Sequence, residues 1–218
     1  MNIYALICTR SKNLSETTSK LVSFYTECGI STKLLVDQRS IFSAYSKGVK
    51  HIKPEDDDII ILCHDDIVIR DTKQIFLSTL MQALVPDTGF MGPAGSKILP
   101  PTAIWWQSQR KDLSGEVSHL TSDGIEHLTY YGPIGRVHVL DGLFLVTSGK
   151  VLKLMDLDKP EYFEGEWDFY DLYYCDMANE LGFVNKTILL DILHLSRGEL
   201  VGRDSWFSNK AAFIVNHM

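Results

Sequence analysis

The chain has 218 residues, 45% of them apolar and 22% charged, with 28 acids against 21 bases for a net charge of −7. That size suits one domain, and that composition excludes disorder, collagen and coiled coil. The acidic balance argues against a nucleic-acid binder, whose affinity would rest on a basic surface. No apolar run approaches the roughly 18 residues needed to span a bilayer.

Residues 2–9 (NIYALICT) predict a buried strand with no signal peptide ahead of it. Asn13 and Glu16 have the spacing of a capping box. Leu14, Thr18, Leu21, Val22, Tyr25 and Cys28 then recur at helical spacing up to a stop at Gly29. A second strand is expected over 32–36, closed by Asp37, and a second helix over 40–52. Pro54 and the acidic run 55–58 mark a loop. Residues 59–63 (IIILC) are wholly apolar, as in a central strand covered on both faces. This alternation predicts an α/β fold with a mostly parallel central sheet and helices on both faces. A helix over 71–84 and a strand over 89–91 continue it.

Residues 93–135 are rich in Gly, Pro, Ser and Trp and weakly periodic, so a long irregular functional segment is expected there. Apolar runs over 136–140 and 143–147 flank Asp141-Gly142, a pair that often marks only a hairpin turn. A helix carrying Trp167, Tyr170, Tyr174, Ala178 and Leu181 ends at Gly182, and a last strand is expected over 184–192. Four scattered cysteines (Cys8, Cys28, Cys63 and Cys175) read as reduced and buried, since no CxxC pair is present.

Cys63-His64-Asp65-Asp66 follows the most apolar strand, and ligands of open α/β sheets bind at the carboxyl ends of strands. Two adjacent acids there suit a divalent ion such as Mg2+ or Mn2+ bridging to a substrate phosphate, or else a solvated polar turn. His194 ends the last apolar strand and reaches the same ion if that strand lies beside the Asp66 turn; otherwise it is a hydrogen-bonded structural histidine. Arg197 and Gly198 fold over a phosphate or lie in a surface loop. Asp168 and Asp171 suit a helix N-terminus electrostatically. Asp171, set among Trp167, Phe169 and Tyr170, also suits a general base whose pKa is raised by aromatic surroundings. Trp105-Trp106 and Tyr130-Tyr131 either cover the core or offer ring faces to a sugar.

In their order and spacing these segments resemble a family-2-type glycosyltransferase of the GT-A fold, most closely a bacterial glycosyltransferase-like branch with a His-Asp-Asp motif. The resemblance spans residues 3–206. It rests on Ala44-Tyr45-Ser46-Lys47-Gly48, residues 60–68 (IILCHDDIV), Gly92-Pro93-Ala94-Gly95 with Trp105-Trp106, residues 139–144 (VLDGLF), residues 167–171 (WDFYD) and residues 194–198 (HLSRG). It implies a single GT-A domain over 1–218, with a nucleotide-binding half over 1–92 and an acceptor-binding half over 93–218. It also implies that Thr9, Arg10 and Asp37 contact the nucleoside, that Asp66 and His194 hold the metal, and that Asp65 holds the ribose or a metal water. Asp141 and Gly142 would border the donor sugar, and Asp171 would deprotonate the acceptor.

The implied activity is an inverting, metal-dependent transfer from a nucleotide-sugar, UDP-sugar favoured, to a glycan or lipid-linked glycan in polysaccharide assembly. The expected setting is the cytoplasm, at the inner membrane surface where the acceptor rides on lipid. Departures from the family pattern motivate a second reading, a catalytically silent nucleotide or sugar-binding module. Cys8-Thr9-Arg10-Ser11 replaces a Pro-x-Asn-Arg sequence, Ser46 replaces Asn, and Tyr173 replaces a second acid. A third reading is a metal-dependent hydrolase using His64, Asp65 and His194 around zinc.

Overall fold

The structure is a computed structural model and describes residues 1–120, 123–196 and 204–218. The strands are β1 (Ile3–Cys8), β2 (Ser31–Leu35), β3 (Ile59–His64), β4 (Ile67–Ile69), β5 (Thr88–Gly92), β6 (Ala94–Ser96), β7 (Leu113–Leu120), β8 (Glu126–Gly132), β9 (Arg136–Val137), β10 (Val139–Leu140), β11 (Phe144–Ser148), β12 (Val184–Thr187) and β13 (Ile192–His194). The helices are α1 (Glu16–Glu27), α2 (Ile41–Ile52), α3 (Lys73–Ala83), α4 (Gly149–Leu154), α5 (Tyr170–Glu180) and α6 (Asp204–His217). Among the described residues, one sheet has seven strands in the order β2-β1-β3-β11-β5-β12-β9. A second has six, β10-β6-β7-β13-β4 with β8 paired to β7.

The first sheet is built on the apolar runs. Ile59, Ile60, Ile61 and Leu62 are each at most 1% exposed, and burial of each such side chain contributes about 1.5–3 kcal/mol. β2, β1 and β3 pair in parallel, with Cys8 level with both Leu35 and His64. Their carboxyl ends therefore share one edge, where Thr9, Asp37 and the His64–Asp66 turn emerge. β11 enters antiparallel between β3 and β5, with Phe144 opposite Cys63. Asp141-Gly142 thus arrives at the same edge from the opposite chain direction.

Several local expectations change. The α1 cap is Ser15, whose hydroxyl accepts from Thr18 N–H at 3.0 Å. Asn13 instead turns back on Ser11, accepting its hydroxyl through the backbone carbonyl at 2.7 Å. The helix expected to open at Asp168 begins at Tyr170, and Asp168 is buried just ahead of it. The run 184–192 divides into β12 and the start of β13, which belong to different sheets. Asp141-Gly142 is no hairpin turn, because β10 pairs with β6 in one sheet and β11 with β3 in the other.

The segment 93–135, expected to be irregular, carries β6, β7 and β8. Its strands bury small polar residues instead of large apolar ones. Ser114 and Ser118 are buried, and the Ser114 hydroxyl lies 2.6 Å from the Thr187 hydroxyl and donates to the Pro133 carbonyl at 2.8 Å. β8 is largely exposed. Hydrophobic periodicity does not register such strands. All four cysteines are buried and free, as expected.

Candidate active site

His64 ends β3, Asp66 lies in the turn to β4, and His194 ends β13. β13 runs antiparallel to β4, with His194 opposite Ile67, and this pairing brings His194 to the turn. One ligand-type atom from each of His64, Asp66 and His194 lies within 4.8 Å of the other two. His194 Nε2 is 3.4 Å from Asp66 Oδ1, and His64 Nδ1 is 3.8 Å from the same oxygen. Asp66 Oδ1 and His194 Nε2 are buried, and neither makes a hydrogen bond. Buried polar atoms without partners are costly, and a cation among the three residues would satisfy them. Burial alone would raise the Asp66 pKa, but the two histidines hold it below the usual carboxylate range. Burial opposes charging of His194 as well, yet Asp66 raises it overall. His64 is pushed down, chiefly by burial.

A second chain of contacts leads away from this cluster. His64 Nε2 lies 2.9 Å from the Tyr170 hydroxyl, which donates to the Gly142 carbonyl at 2.6 Å. The Gly142 N–H donates to Asp171 Oδ2 at 3.0 Å. One glycine thus joins the metal-type cluster to a carboxylate. A Cβ on Gly142 would fall 2.3 Å from the Tyr170 oxygen and 2.9 Å from the Asp171 Cβ, so only glycine fits. Asp171 is half-buried. Burial, reinforced by the neighbouring charge of Asp141, raises its pKa to about 7, a value suited to a general base near neutral pH. Tyr170 and Asp171 open α5 directly after Phe169, which holds φ 70°. A left-handed bulky residue is costly and occurs where the surroundings enforce it.

Those surroundings include α6. Asn209, fully buried, accepts from Gly165 N–H at 2.7 Å and donates to the Gly165 and Asp168 carbonyls, each at 3.0 Å. Trp206, also on α6, packs its ring 5.4 Å from Phe169. A cavity of about 150 Å3 opens beside Asp171, with His64, Asp141, Trp106, Trp167 and Trp206 among its walls. The adjacent tryptophans divide: Trp105 is core at 2% exposed, whereas Trp106 lines the cavity at 43% exposed.

The Thr9, Arg10 and Asp37 group sits at the ends of β1 and β2. Thr9 is buried, and its hydroxyl accepts from Ser11 N–H at 3.1 Å. Asp37 has φ 54°, donates its N–H to the Ser11 carbonyl at 3.0 Å, and lies 3.5 Å from Lys12. The Arg10 guanidinium sits 4.0 Å over the Trp167 ring, between this loop and the cavity. Asp65 is half-exposed and its carbonyl accepts from the Thr18 hydroxyl at 3.2 Å. Asp66 and His194 therefore come together with His64, while Asp141, Gly142 and Asp171 form an adjoining group. Arg197 and Gly198 lie outside the described residues.

Sequence reasoning placed His64 at a metal only in the hydrolase reading, and it did not single out Tyr170, Trp206 or Asn209 for these positions. His64 stood beside the acidic pair as the one available signal; the others gain their places from contacts between distant segments.

A family model described as a glycosyltransferase-like family matches residues 6–188. The chain belongs to that family. Membership supports a glycosyltransferase and the GT-A fold. Among solved structures, the chain is similar to A197 from STIV, at 13% identity over 90% of this chain and 86% of that one, with a TM-score of 0.51. It is also similar to GalNAc-T7, solved with UDP, GalNAc and Mn2+, at 7% identity and a TM-score of 0.53. That match covers 90% of this chain and 44% of GalNAc-T7. None of the curated proteins compared with the chain matches it significantly. In this member of the glycosyltransferase-like family no described helix is long and apolar enough to cross a membrane.

Proposed function

We propose that this glycosyltransferase-like protein moves a sugar from a nucleotide-sugar to an acceptor hydroxyl with inversion, using a divalent metal. The observation that carries the reading is the double use of Gly142, whose carbonyl ties to the metal-type cluster through Tyr170 while its N–H holds Asp171. Residues 1–92 form the nucleotide-binding half of one domain and 93–218 the acceptor-binding half, with His194 reaching back to the metal. Thr9, Arg10 and Asp37 bind the nucleoside, with UDP favoured, and Asp65 holds the ribose or a metal water. His64, Asp66 and His194 would hold the ion; two imidazoles weigh toward Mn2+ over Mg2+, which prefers oxygen ligands. Bound there, the ion would offset negative charge on the departing diphosphate. GalNAc-T7, solved with UDP and Mn2+, is in keeping with these ligand classes.

Asp141 and Gly142 border the donor sugar. Asp171, ionised, accepts the proton of the acceptor hydroxyl. That oxygen bonds to the anomeric carbon as the bond from that carbon to phosphate oxygen breaks, and the electron pair leaves with the nucleoside diphosphate. One in-line displacement inverts the anomeric centre. Trp106, Trp167 and Trp206 offer ring faces to the acceptor sugar. A glycan acceptor in polysaccharide assembly, carried on lipid at the inner face of the membrane, completes the reading.

The test incubates the protein with a panel of nucleotide-sugars and simple glycans, with and without Mn2+, and follows product by NMR. Metal-dependent transfer with an inverted anomeric centre is expected. Nucleotide binding without transfer or donor hydrolysis under any metal would replace this reading with a silent binding module.

A further inference from the structure

We propose that Tyr170 is a positioning residue for the metal site, its hydroxyl fixing which nitrogen of His64 carries the proton and which offers a lone pair. The inference rests on the metal reading above and adds a residue that does not itself touch the ion.

A tyrosine hydroxyl has one hydrogen. Tyr170 gives it to the Gly142 carbonyl, which can only accept, at 2.6 Å. The 2.9 Å contact with His64 Nε2 must then run the other way, with Nε2–H donating to the tyrosine oxygen. In the neutral ring this leaves the lone pair on Nδ1, the nitrogen 3.8 Å from Asp66 Oδ1. Nδ1 is thus the atom that joins Asp66 Oδ1 and His194 Nε2 around one point. Metal-bound histidines commonly donate their second N–H to a fixed acceptor, which sets tautomer and ring orientation.

The tyrosine is itself held rigidly. Its ring packs against Phe42, Tyr45 and Tyr174 at centroid distances of 6.3, 5.9 and 5.9 Å. It is the first residue of α5 and the immediate neighbour of Asp171, so one helix start orients both the metal ligand and the base. Gly142 leaves room for the hydroxyl, as the 2.3 Å approach of a hypothetical Cβ shows.

The test compares wild type with Tyr170→Phe, which keeps the ring and removes the hydroxyl. Tyr45→Phe serves as control, since that neighbouring buried hydroxyl has no hydrogen-bond partner. Mn2+ affinity is read from the EPR signal of free Mn2+ during titration. Tyr170→Phe is expected to bind about 10–100-fold more weakly, and Tyr45→Phe to match wild type. Near-UV circular dichroism confirms that each variant is folded. A second readout needs no metal: nitrogen shifts of 15N-labelled histidine at pH 8 should show His64 protonated at Nε2 in wild type and as a tautomer mixture in Tyr170→Phe. Unchanged Mn2+ affinity with an unchanged tautomer would overturn the role of Tyr170 and leave the metal reading standing. A wild-type protein that binds no Mn2+ would overturn the metal reading itself.

Discussion

His64, Asp66 and His194 at the sheet edge have the same composition as His138, Asp176 and His217, which join the β9–β10 link, α5 and α6. In both groups the histidines hold the aspartate pKa below the usual range against burial. They differ in how their polar atoms are satisfied. His217 Nδ1 lies 2.6 Å from Asp176 Oδ2, its Nε2 is 2.6 Å from the Tyr162 hydroxyl, and His138 Nε2 is 3.3 Å from Asp176 Oδ1. In the other group, Asp66 Oδ1 and His194 Nε2 are buried without hydrogen bonds. The first arrangement clamps α6 to α5; the second is an open ligand set. Residue types alone do not separate the two groups; the unpartnered buried atoms of Asp66 and His194 do, and the proposed metal site rests on them.

Substitutions should widen that contrast. The largest effect is expected next to the open set: Asp171→Asn should lower the transfer rate about 10²–10⁴-fold, the usual contribution of a general base, with donor binding retained by calorimetry. Asp66→Ala should weaken Mn2+ binding by two orders of magnitude or more, scored by the same EPR titration. Asp176→Asn should do the reverse. It should leave Mn2+ affinity intact and cost about 1–3 kcal/mol in denaturant unfolding, through buried hydrogen bonds left unmade.

A smaller and more diagnostic effect concerns pH. The proposed base, Asp171, can accept a proton only when ionised, and burial raises its pKa to about 7. The rate at low substrate should therefore rise as pH increases from 6 and level off above about 7 to 8. A profile flat across that range would remove Asp171 as the base. Trp106→Ala, at the exposed rim of the cavity, should act least, raising the acceptor KM several-fold with little change in kcat; this is a loss of stacking worth about 1 kcal/mol.

The regular half of the molecule was legible because its information is local. Ile59 to Cys63 could be placed in the centre of a sheet from five apolar letters, and α2 from its helical spacing. β7 and β8 were not legible, because buried Ser114 is satisfied by Pro133 and Thr187, distant in the chain, and β8 is largely exposed. The same holds at the site. Asp66, His194 and Asp171 stood at strand ends or a helix start, where chemistry is expected. Tyr170 is 106 positions from the His64 ring that it meets, and Asn209 reaches 44 positions back to Gly165. The clamp at His138, Asp176 and His217 gave no motif for the same reason: its members meet only after α6 packs on α5.

The most direct test of the site is thermal unfolding with UDP and the other nucleoside diphosphates, each with and without Mn2+, in wild type, Asp66→Ala and Asp176→Asn. A ligand that binds only the folded state at a hundredfold excess over Kd adds about 2.7 kcal/mol. A Mn2+-dependent shift is expected in wild type and Asp176→Asn and should vanish in Asp66→Ala. A shift that survives in Asp66→Ala, or no shift in wild type with any nucleotide, would contradict a metal-dependent nucleotide site at His64, Asp66 and His194.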